Sequence, residues 1–564
     1  MSRLLPTLLL LALLPCNSAL AHGGQFRPPR GAPRAPTPPG LPAQPTAPAQ
    51  TGKVQHTWTV WWSYSQFQYL DYRRMQRERA GPITGSEGKQ DADKWRDELR
   101  ARLIPVLRKA ITDKDREVRT AAAVALGKLQ VRAAIPDLER MLRLDKLQEG
   151  REAALLGLMY MREPQLRATF EREVRRKAGK LRVRGFALFG IGRLGDDQSI
   201  AYLQSFFDRK DKQAKAILPS SSGEKREFRV ACLAAMLMSE RKDLGDFMLG
   251  VARDNRFDEQ VRAYAVTALG KVGARDRLKE LIAYLRDKDE HDQVRRSAAI
   301  ALGVLGKRTD ATLIKELKLT MARGKDAVLR HFSIISLGRI GGAAASQALL
   351  KRLRRVRGED REFVLVALGL SKNPKAAAVL VKALHQEKHA RRKAAAALAL
   401  GLLGDRKQAA VLNKEYGRAK DWLLLQTCSL SLGMLHHKPA AARLKDILIE
   451  KKEPGLRMAA ALAYALIRQH AAVPLFLEIL RESSSLITMT AMVRVMSLLS
   501  SPSAAKPLEK IYADKDVQRQ VRAYALVGLG TLADRADFPL LVPMGFDINY
   551  FVRCPPLDEA ITIL

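Results

Sequence analysis

The feature that most constrains this chain is a short phrase that recurs along most of its length. The phrase begins with Val-Arg, continues through several alanines and ends in Leu-Gly, as in residues 118–127, 261–270 and 521–530. A fixed period of about 20 to 50 residues is typical of stacked-repeat proteins. Here the closing glycine recurs at intervals of 31 to 35 residues through Gly270, Gly303, Gly338, Gly369, Gly401 and Gly433. Each unit of such an array packs only on its neighbours, which favours a long binding surface over a catalytic cleft.

One unit of the repeat is predicted to be a pair of helices. Residues 104–111 have apolar side chains at helical spacing, and residues 113–115 form a turn whose aspartate can cap the next helix. Residues 118–129 then give the apolar face of the second helix. The same pattern predicts an all-α fold, an α-solenoid of about thirteen antiparallel helix pairs between residues 91 and 541. A loop insert is expected at 208–227, where the repeat is interrupted by Pro219-Ser220-Ser221-Ser222-Gly223.

The repeated motif Pro-x-x-Leu, Asp-x-x-Val-Arg-x-x-Ala-x-x-Ala-Leu-Gly resembles the HEAT-repeat family, in the short form also found in phycobilisome-lyase-like proteins. The resemblance covers about 450 of the 564 residues. It implies an α-solenoid whose concave face is lined by the second helix of each pair and whose work is to hold other macromolecules. With a Trp-rich segment before the repeats and an Asp-x-Asn-Tyr sequence after them, the chain also resembles secreted bacterial HEAT-repeat proteins.

The first residues are typical of a secretory signal, predicted at 1–21. Arg3 supplies the charge, residues 4–14 the apolar run and residues 19–21 an A-x-A cleavage site. We therefore expect export to the periplasm, outer envelope or exterior of a bacterium. Cys16 raises the alternative of a lipoprotein, which is disfavoured because Pro15 fits a lipobox poorly. No later stretch of the mature chain is apolar enough to span a membrane, since charged residues interrupt each one.

Residues 22–52 are predicted to be a proline-rich disordered tether, because a stretch with so little apolar content cannot bury a core. Beyond it, Cys232, Cys428 and Cys554 are too widely spaced to form a disulfide framework or a zinc site. None of the nine histidines is followed by Glu, so the His-Glu pairs that hold iron in deoxyhypusine hydroxylase, a HEAT-type enzyme, are absent. We expect no cofactor, no metal and no enzymatic activity.

The formal net charge of +38 exceeds what solubility needs and is clustered in three runs. One interpretation is a solvated helix face, and the other is a binding surface for an acidic partner. The expected partners are proteins, acidic ones among them, with an anionic lipid, lipopolysaccharide or cell-wall polymer as the alternative. Nucleic acid is not expected, because aromatic residues are not interleaved with the basic runs. The candidate binding residues are Arg175, Arg176, Lys177, Arg182, Arg184, Lys351, Arg352, Arg354, Arg355, Arg357, Arg391, Arg392 and Lys393.

Two segments outside the repeats are expected to act as caps, the aromatic-rich residues 53–90 and the C-terminal residues 542–564. A solenoid must cover the apolar ends of its first and last units. The alternative for the first segment is an anchor for a partner, because Trp and Tyr dominate the energetics of interfaces. The residues concerned are Trp58, Trp61, Trp62, Tyr64 and Tyr69.

The arginine of the repeat phrase has two interpretations as well. It is either a ladder of binding residues or, as favoured here, a structural group that reaches back to the aspartate of the preceding turn. Asp115, Asp258 and Asp326 are the acceptors expected in the second case. The arginines are Arg119, Arg262, Arg295, Arg330, Arg457 and Arg522.

Overall fold

The computed structural model describes residues 56–70, 86–176, 180–450, 453–499, 501–534, 542–552 and 554–558. Throughout these ranges the regular structure is helical. No helix in the described ranges has the length and apolar character needed to cross a membrane. The expected signal sequence at 1–21 and the expected tether at 22–52 lie outside these ranges, as do most of residues 71–90.

The α-helices follow one another with short connections. Their bounds are α1 Trp58–Tyr69, α2 Ser86–Ala110, α3 Arg116–Lys128, α4 Ile135–Leu144, α5 Gln148–Met161, α6 Arg167–Arg175, α7 Leu181–Leu194, α8 Asp197–Ser205, α9 Lys212–Ile217, α10 Ser222–Leu237, α11 Gly245–Arg253, α12 Glu259–Lys271, α13 Leu278–Arg286, α14 Asp292–Leu305, α15 Ala311–Arg323, α16 Ala327–Ile340, α17 Gly342–Leu353, α18 Gly358–Leu370, α19 Ala376–Gln386, α20 Ala390–Leu403, α21 Ala409–Arg418, α22 Trp422–Met434, α23 Ala441–Glu450, α24 Pro454–Arg468, α25 Val473–Glu482, α26 Leu486–Leu498, α27 Pro502–Ala513 and α28 Arg519–Ala533.

From α2 onward the helices alternate between an outer and an inner layer. The inner helices are α3, α5, α7, α10, α12, α14, α16, α18, α20, α22, α24, α26 and α28, and each packs on the outer helix that precedes it. Consecutive inner helices are in closer contact than consecutive outer helices, so the array curves with the inner layer on its concave side. The predicted all-α solenoid of thirteen helix pairs is confirmed. The expected loop insert at 208–227 is shorter than predicted, because α9 lies within it and α10 already begins at Ser222.

The Leu-Gly of the repeat phrase makes the contact between neighbouring inner helices. A β-carbon added at Gly369 would lie 2.4 Å from the backbone oxygen of Ala399 on the next inner helix. Only glycine leaves room for this approach, and alanines complete the close packing of the inner layer. The recurring glycine is therefore a packing requirement of the interface between repeats.

The same contact joins the last repeat to the first and closes the array into a ring. A β-carbon at Gly530 of α28 would lie 2.9 Å from the β-carbon of Ala125 on α3. In the outer layer Arg102 of α2 pairs with Glu509 of α27 at 3.3 Å. Thirteen inner helices spaced by about 10 Å give a circumference of about 130 Å and a diameter of roughly 40 Å between opposite helix axes. The array therefore has no open apolar end for a cap to cover.

The described parts of the two non-repeat segments, residues 56–70 and 542–558 apart from 553, lie on the inner helices. Helix α1 packs on α18 and on the turn at residues 542–545. The C-terminal segment contacts four inner helices, where Asn549 bonds Ser297 of α14 and Lys271 of α12 donates to the carbonyl of Phe546 at 2.6 Å. Asp547 pairs with Arg339 of α16, and Pro556 lies against Gly185 of α7. For these residues the interpretation as end caps is corrected: they pack on the concave face of five inner helices.

Candidate anion-binding cleft

The first basic run, residues 172–184, is largely neutralised within the fold. Arg175 pairs with Glu171 at 2.8 Å, and Arg182 forms a bidentate pair with the fully buried Glu152. Arg176 lies 3.7 Å from Glu173. Lys177 lies outside the described residues.

Arg184 is buried, contrary to its prediction as a surface binding residue. Its guanidinium donates to the carbonyl oxygens of Val174 and Ile217 and stacks over the ring of Phe228. Burial lowers the pKa of this guanidinium. Arg184 therefore ties α7 to α6 and to the end of α9, and it is unavailable to a partner.

The run at 391–393 is also paired. Arg391 lies 3.1 Å from Glu362 and Lys393 lies 3.1 Å from Glu415. Arg392 lies 3.7 Å from Glu387. Glu362 and Glu415 belong to the preceding and the following repeat, and Glu387 lies in the turn of the same repeat, so these bonds leave little uncompensated charge.

The run at 351–357 differs, because most of its charge faces solvent without a partner. The side chains of Lys351, Arg354, Arg355 and Arg357 are exposed, and none forms an ion pair with another described residue. Arg355 and Arg357 flank the buried Val356 in the connection between α17 and α18. Arg355 lies in the turn that follows α17, and Arg357 is extended at the position before α18.

These two arginines line an open cleft of about 450 Å³ at the edge of the ring. We call it the arginine cleft, and its polar lining is Arg330, His331, Arg352, Arg355, Arg357, Glu359 and Asp360. Lys351 and Arg354 belong to the same basic run but do not line it. The predicted cluster therefore divides into two residues that share a concave site with Arg352 and two that do not.

Asp360 organises the floor of the arginine cleft. Its carboxylate accepts two hydrogen bonds from Arg330, one from Arg352 at 2.9 Å and one from His331 at 2.9 Å. Burial by itself would raise the pKa of Asp360, but the hydrogen bonds from His331 and Arg330 outweigh it and hold the pKa well below its usual range. Asp360 is thus a carboxylate that fixes Arg330 and Arg352 in position.

His331 connects this floor to the lumen. Its ring is buried, stacks on Phe363 at 4.1 Å and on His56 at 5.0 Å between centroids, and leaves Nδ1 without a hydrogen-bond partner among the described residues. His56 in turn bonds Tyr550 of the C-terminal segment at 2.7 Å. Burial lowers the pKa of His56 to about 3, and His331 and Arg296 act in the same direction.

The aromatic residues that were candidate partner anchors are engaged within the protein. Trp58, Trp61 and Trp62 are buried, Trp62 stacks on Tyr69, and Tyr64 stacks on Tyr550 at 5.0 Å. The anchor interpretation is corrected for the three buried tryptophans, because their rings offer almost no surface to a partner.

The recurring arginines have the favoured structural role, with a different partner from the one expected. Arg119 binds Asp145 at 2.7 Å, and Arg262 and Arg330 bind acids 28 and 30 residues further along the chain. These acceptors lie in the following repeat, not in the preceding turn. Asp115, Asp258 and Asp326 instead accept hydrogen bonds from the first backbone N–H groups of α3, α12 and α16.

The remaining arginines of the repeat phrase differ in the groups they bind. Arg457 donates to Thr488, Arg522 donates to the carbonyl of Tyr512, and Arg295 lies 3.7 Å from Asp292. In place of Arg295, the adjacent Arg296 makes the bond between repeats, to Asp326 at 2.6 Å.

Sequence reasoning did not identify His331, Glu359 or Asp360 as site residues. A usable signal was present, because His331 and Asp360 are 29 residues apart, close to one repeat, and equivalent positions in adjacent repeats lie side by side.

Within the described residues, no group of His, Cys, Asp and Glu side chains is arranged to hold a metal ion, and Cys232, Cys428 and Cys554 are buried free thiols.

Comparisons with known proteins bear on the repeats. The family model described as HEAT repeats matches residues 93–159 and 249–321. No curated protein matches the sequence. Among solved structures, the chain is similar to the complex of CpcE and CpcF of phycocyanin lyase from Nostoc sp. PCC7120, with 24% identity over 46% of this chain and 94% of that chain and a TM-score of 0.30.

Human deoxyhypusine hydroxylase matches with 20% identity over 48% of this chain and 96% of that chain, at a TM-score of 0.21. Importin beta matches with 12% identity over 85% of this chain and 76% of that chain, at a TM-score of 0.39. Similarities this low carry no functional argument. The family model identifies residues 93–159 and 249–321 as HEAT repeats, and the other helix pairs of the array carry the same Val-Arg to Leu-Gly phrase in full or looser form.

Proposed function

We propose that this chain is a ring-shaped HEAT-repeat scaffold that binds an acidic protein partner at the arginine cleft. The observation that carries the proposal is that Arg355 and Arg357 line a concave site and form no ion pair with a described residue, while the candidate arginines of the two other basic runs form ion pairs or, in the case of Arg184, are buried. Unpaired guanidinium groups in a cleft attract acidic groups and bind them in a defined geometry.

The closed ring changes the mechanism from the one expected of an open solenoid. Helix α1 and the C-terminal segment occupy the concave face at α12, α14, α16 and α18, and the arginine cleft lies at the edge of the ring beside them, where inner and outer helices are connected. We therefore place the partner at this edge. The scaffold role requires no reaction at this site, and we propose none.

The test compares two double variants with the same change of charge. Arg355→Glu with Arg357→Glu alters the cleft, and Lys351→Glu with Arg354→Glu alters exposed residues of the same run outside it. Tagged proteins are used to recover partners from the envelope fraction at physiological salt. We expect the cleft pair to lose an acidic protein that the control pair retains. An equal loss in both pairs, together with binding to anionic vesicles, would favour diffuse docking to an anionic envelope surface and contradict the proposal.

We also propose that the protein acts outside the cytoplasm of a bacterium. The support is the charged start, the apolar run and the small-residue cleavage site within residues 1–21. Cell fractionation of the full chain and of a chain lacking residues 2–21 tests this. Recovery of both proteins in the cytoplasm would contradict export.

A further inference from the structure

We propose that the arginine cleft specifically binds one doubly charged oxyanion of the phosphate-monoester type. This inference rests on the proposed function, in which the partner protein carries that group. Planar guanidinium groups match the oxygens of such a group with paired hydrogen bonds. Three features of the cleft support this site: its net charge, its unused hydrogen-bond donors and the helix that begins there.

The charge of the arginine cleft favours a dianion. Its lining contains four guanidinium groups, from Arg330, Arg352, Arg355 and Arg357, against the two carboxylates of Glu359 and Asp360. Leaving His331 aside, two positive charges remain uncompensated. A dianion balances both, whereas a single carboxylate balances one.

The donors of the arginine cleft fall into two groups. Arg330 has four of its five N–H groups engaged, because it binds Asp360 twice and also donates to the carbonyl oxygens of Gly324 and Lys325. Arg352 uses one terminal nitrogen on Asp360, and its Nε is buried without a partner among the described residues. The side chains of Arg355 and Arg357 line the cleft and donate to no described residue. The anion would therefore be held by Arg352, Arg355 and Arg357, with Arg330 as a positioning residue.

The beginning of α18 adds to the positive potential. Its cap position is Arg357, which makes no side-chain bond to the first N–H groups, whereas Asp326 caps α16 on the other side of the cleft. Gly358 has φ of +62°, and this left-handed turn leads the chain from Arg357 into the helix. An anion bound by Arg357 would lie near helix N–H groups that lack a capping carboxylate.

The segment that precedes His56, the residue that stacks on His331, has no acidic side chain to offer: residues 22–55 contain neither Asp nor Glu. Asp558 lies elsewhere, close to Cys554 and Tyr264 of α12. We therefore assign the anion to a group outside these two segments, on the partner protein.

The experiment is calorimetric titration of the full chain with inorganic phosphate at pH 8, at constant ionic strength set with chloride. We expect saturable binding of one phosphate, and weakening by about ten-fold or more, equivalent to about 1.4 kcal/mol, in Arg355→Ala with Arg357→Ala. Lys351→Ala with Arg354→Ala, the control pair outside the cleft, should change the affinity less than two-fold. Non-saturable binding, or an equal effect of both pairs, would overturn the site.

Further titrations separate the class and the source of the anion. Sulfate is expected to compete with phosphate, and acetate to bind at least ten-fold more weakly; equal affinity for acetate would overturn the preference for a dianion. A phosphoserine peptide should displace phosphate. Displacement by phosphatidate-containing vesicles but not by the peptide would overturn the assignment to a protein-borne group.

The two proposals fail in different ways. If phosphate binds at the arginine cleft but the variant Arg355→Glu with Arg357→Glu still recovers the same protein partners, the anion site stands and the proposed function falls. If that variant loses its partner while the unaltered protein shows no saturable binding of phosphate, the dianion site falls and the scaffold function stands.

Discussion

Lys128, in the first inner helix, donates a hydrogen bond of 3.0 Å from its Nζ to the Oγ1 of Thr531 in the last, although 403 residues separate them along the chain. The bond crosses the junction at which the thirteenth helix pair meets the first. It is supported by the contact of Gly530 with Ala125 and by the ion pair of Arg519 with Asp115 at 3.4 Å. Ring closure replaces the concave groove of an open solenoid with two edges and a lumen, in which α1 and the C-terminal segment contact five of the inner helices.

The first prediction concerns the glycine contact between repeats. Gly369→Ala should lower the free energy of unfolding by about 1–3 kcal/mol, because the added methyl group would lie 2.4 Å from a backbone oxygen that cannot easily move. Gly250→Ala is the matched control in an outer helix, since a β-carbon there meets no atom within 4 Å. The control should be neutral or stabilising by about 0.5–1 kcal/mol. Urea unfolding of both variants checks this, and equal losses would contradict the packing role of the repeat glycine.

The second prediction concerns Asp360. Asp360→Asn should destabilise the protein by about 3 kcal/mol, because it removes the charge that compensates the half-buried Arg330 and Arg352. Since the pKa of Asp360 is held below its usual range, its contribution to stability is full above the unfolded pKa of about 4 and is lost as the pH falls below that value. Thermal melts between pH 3 and pH 7 should therefore show a steeper loss in acid for the native protein than for the variant.

The third prediction concerns His56 and the packing of α1 in the lumen. Its folded pKa of about 3 lies below the usual 6.5, so the unfolded state takes up the proton first as the pH falls. The contribution to stability is full above pH 6.5 and falls by about 1.4 kcal/mol per pH unit between 6.5 and 3. Unfolding followed by the fluorescence of Trp58, Trp61 and Trp62 measures it. His56→Phe should remove most of this slope, and an unchanged slope would assign it to other groups.

The fourth prediction separates a structural arginine from a surface one. Arg184→Ala should cost about 2–4 kcal/mol, because it leaves the carbonyl oxygens of Val174 and Ile217 without this donor and removes the guanidinium from Phe228. Arg175→Ala, in the same run but exposed, should cost less than about 1 kcal/mol. Similar losses in the two variants would contradict the distinction drawn between them.

The repeat phrase predicted the helix pairs and their number because its signals are local: alanines at helical spacing, an aspartate cap and a glycine at a close contact. Closure of the ring was not predictable in this way. It depends on a small rotation at each of thirteen interfaces, and the contact of Gly530 with Ala125 uses the same residue types as internal interfaces such as that of Gly369 with Ala399. Nothing in a single repeat distinguishes a closed array from an open one.

The arginine cleft was predicted only in part, for a related reason. The run at 351–357 and the run at 391–393 look alike in sequence, and they differ because Glu362, Glu387 and Glu415 lie within reach of the second. Glu362 and Glu415 come from neighbouring repeats. Pairing residues about 30 positions apart would have matched Arg391 with Glu362, and would also have matched His331 with Asp360.

Ring closure is the claim on which the account depends, and a cysteine cross-link tests it most directly. Lys128→Cys and Thr531→Cys are combined in one chain, with Lys128→Cys and Ile449→Cys, an exposed position in α23, as the control pair. Mild oxidation of monomeric protein should join residues 128 and 531 within one chain, seen as a faster band on a non-reducing gel and as a linked peptide by mass spectrometry. Absence of that link, or equal linking in the control pair, would contradict the closed ring.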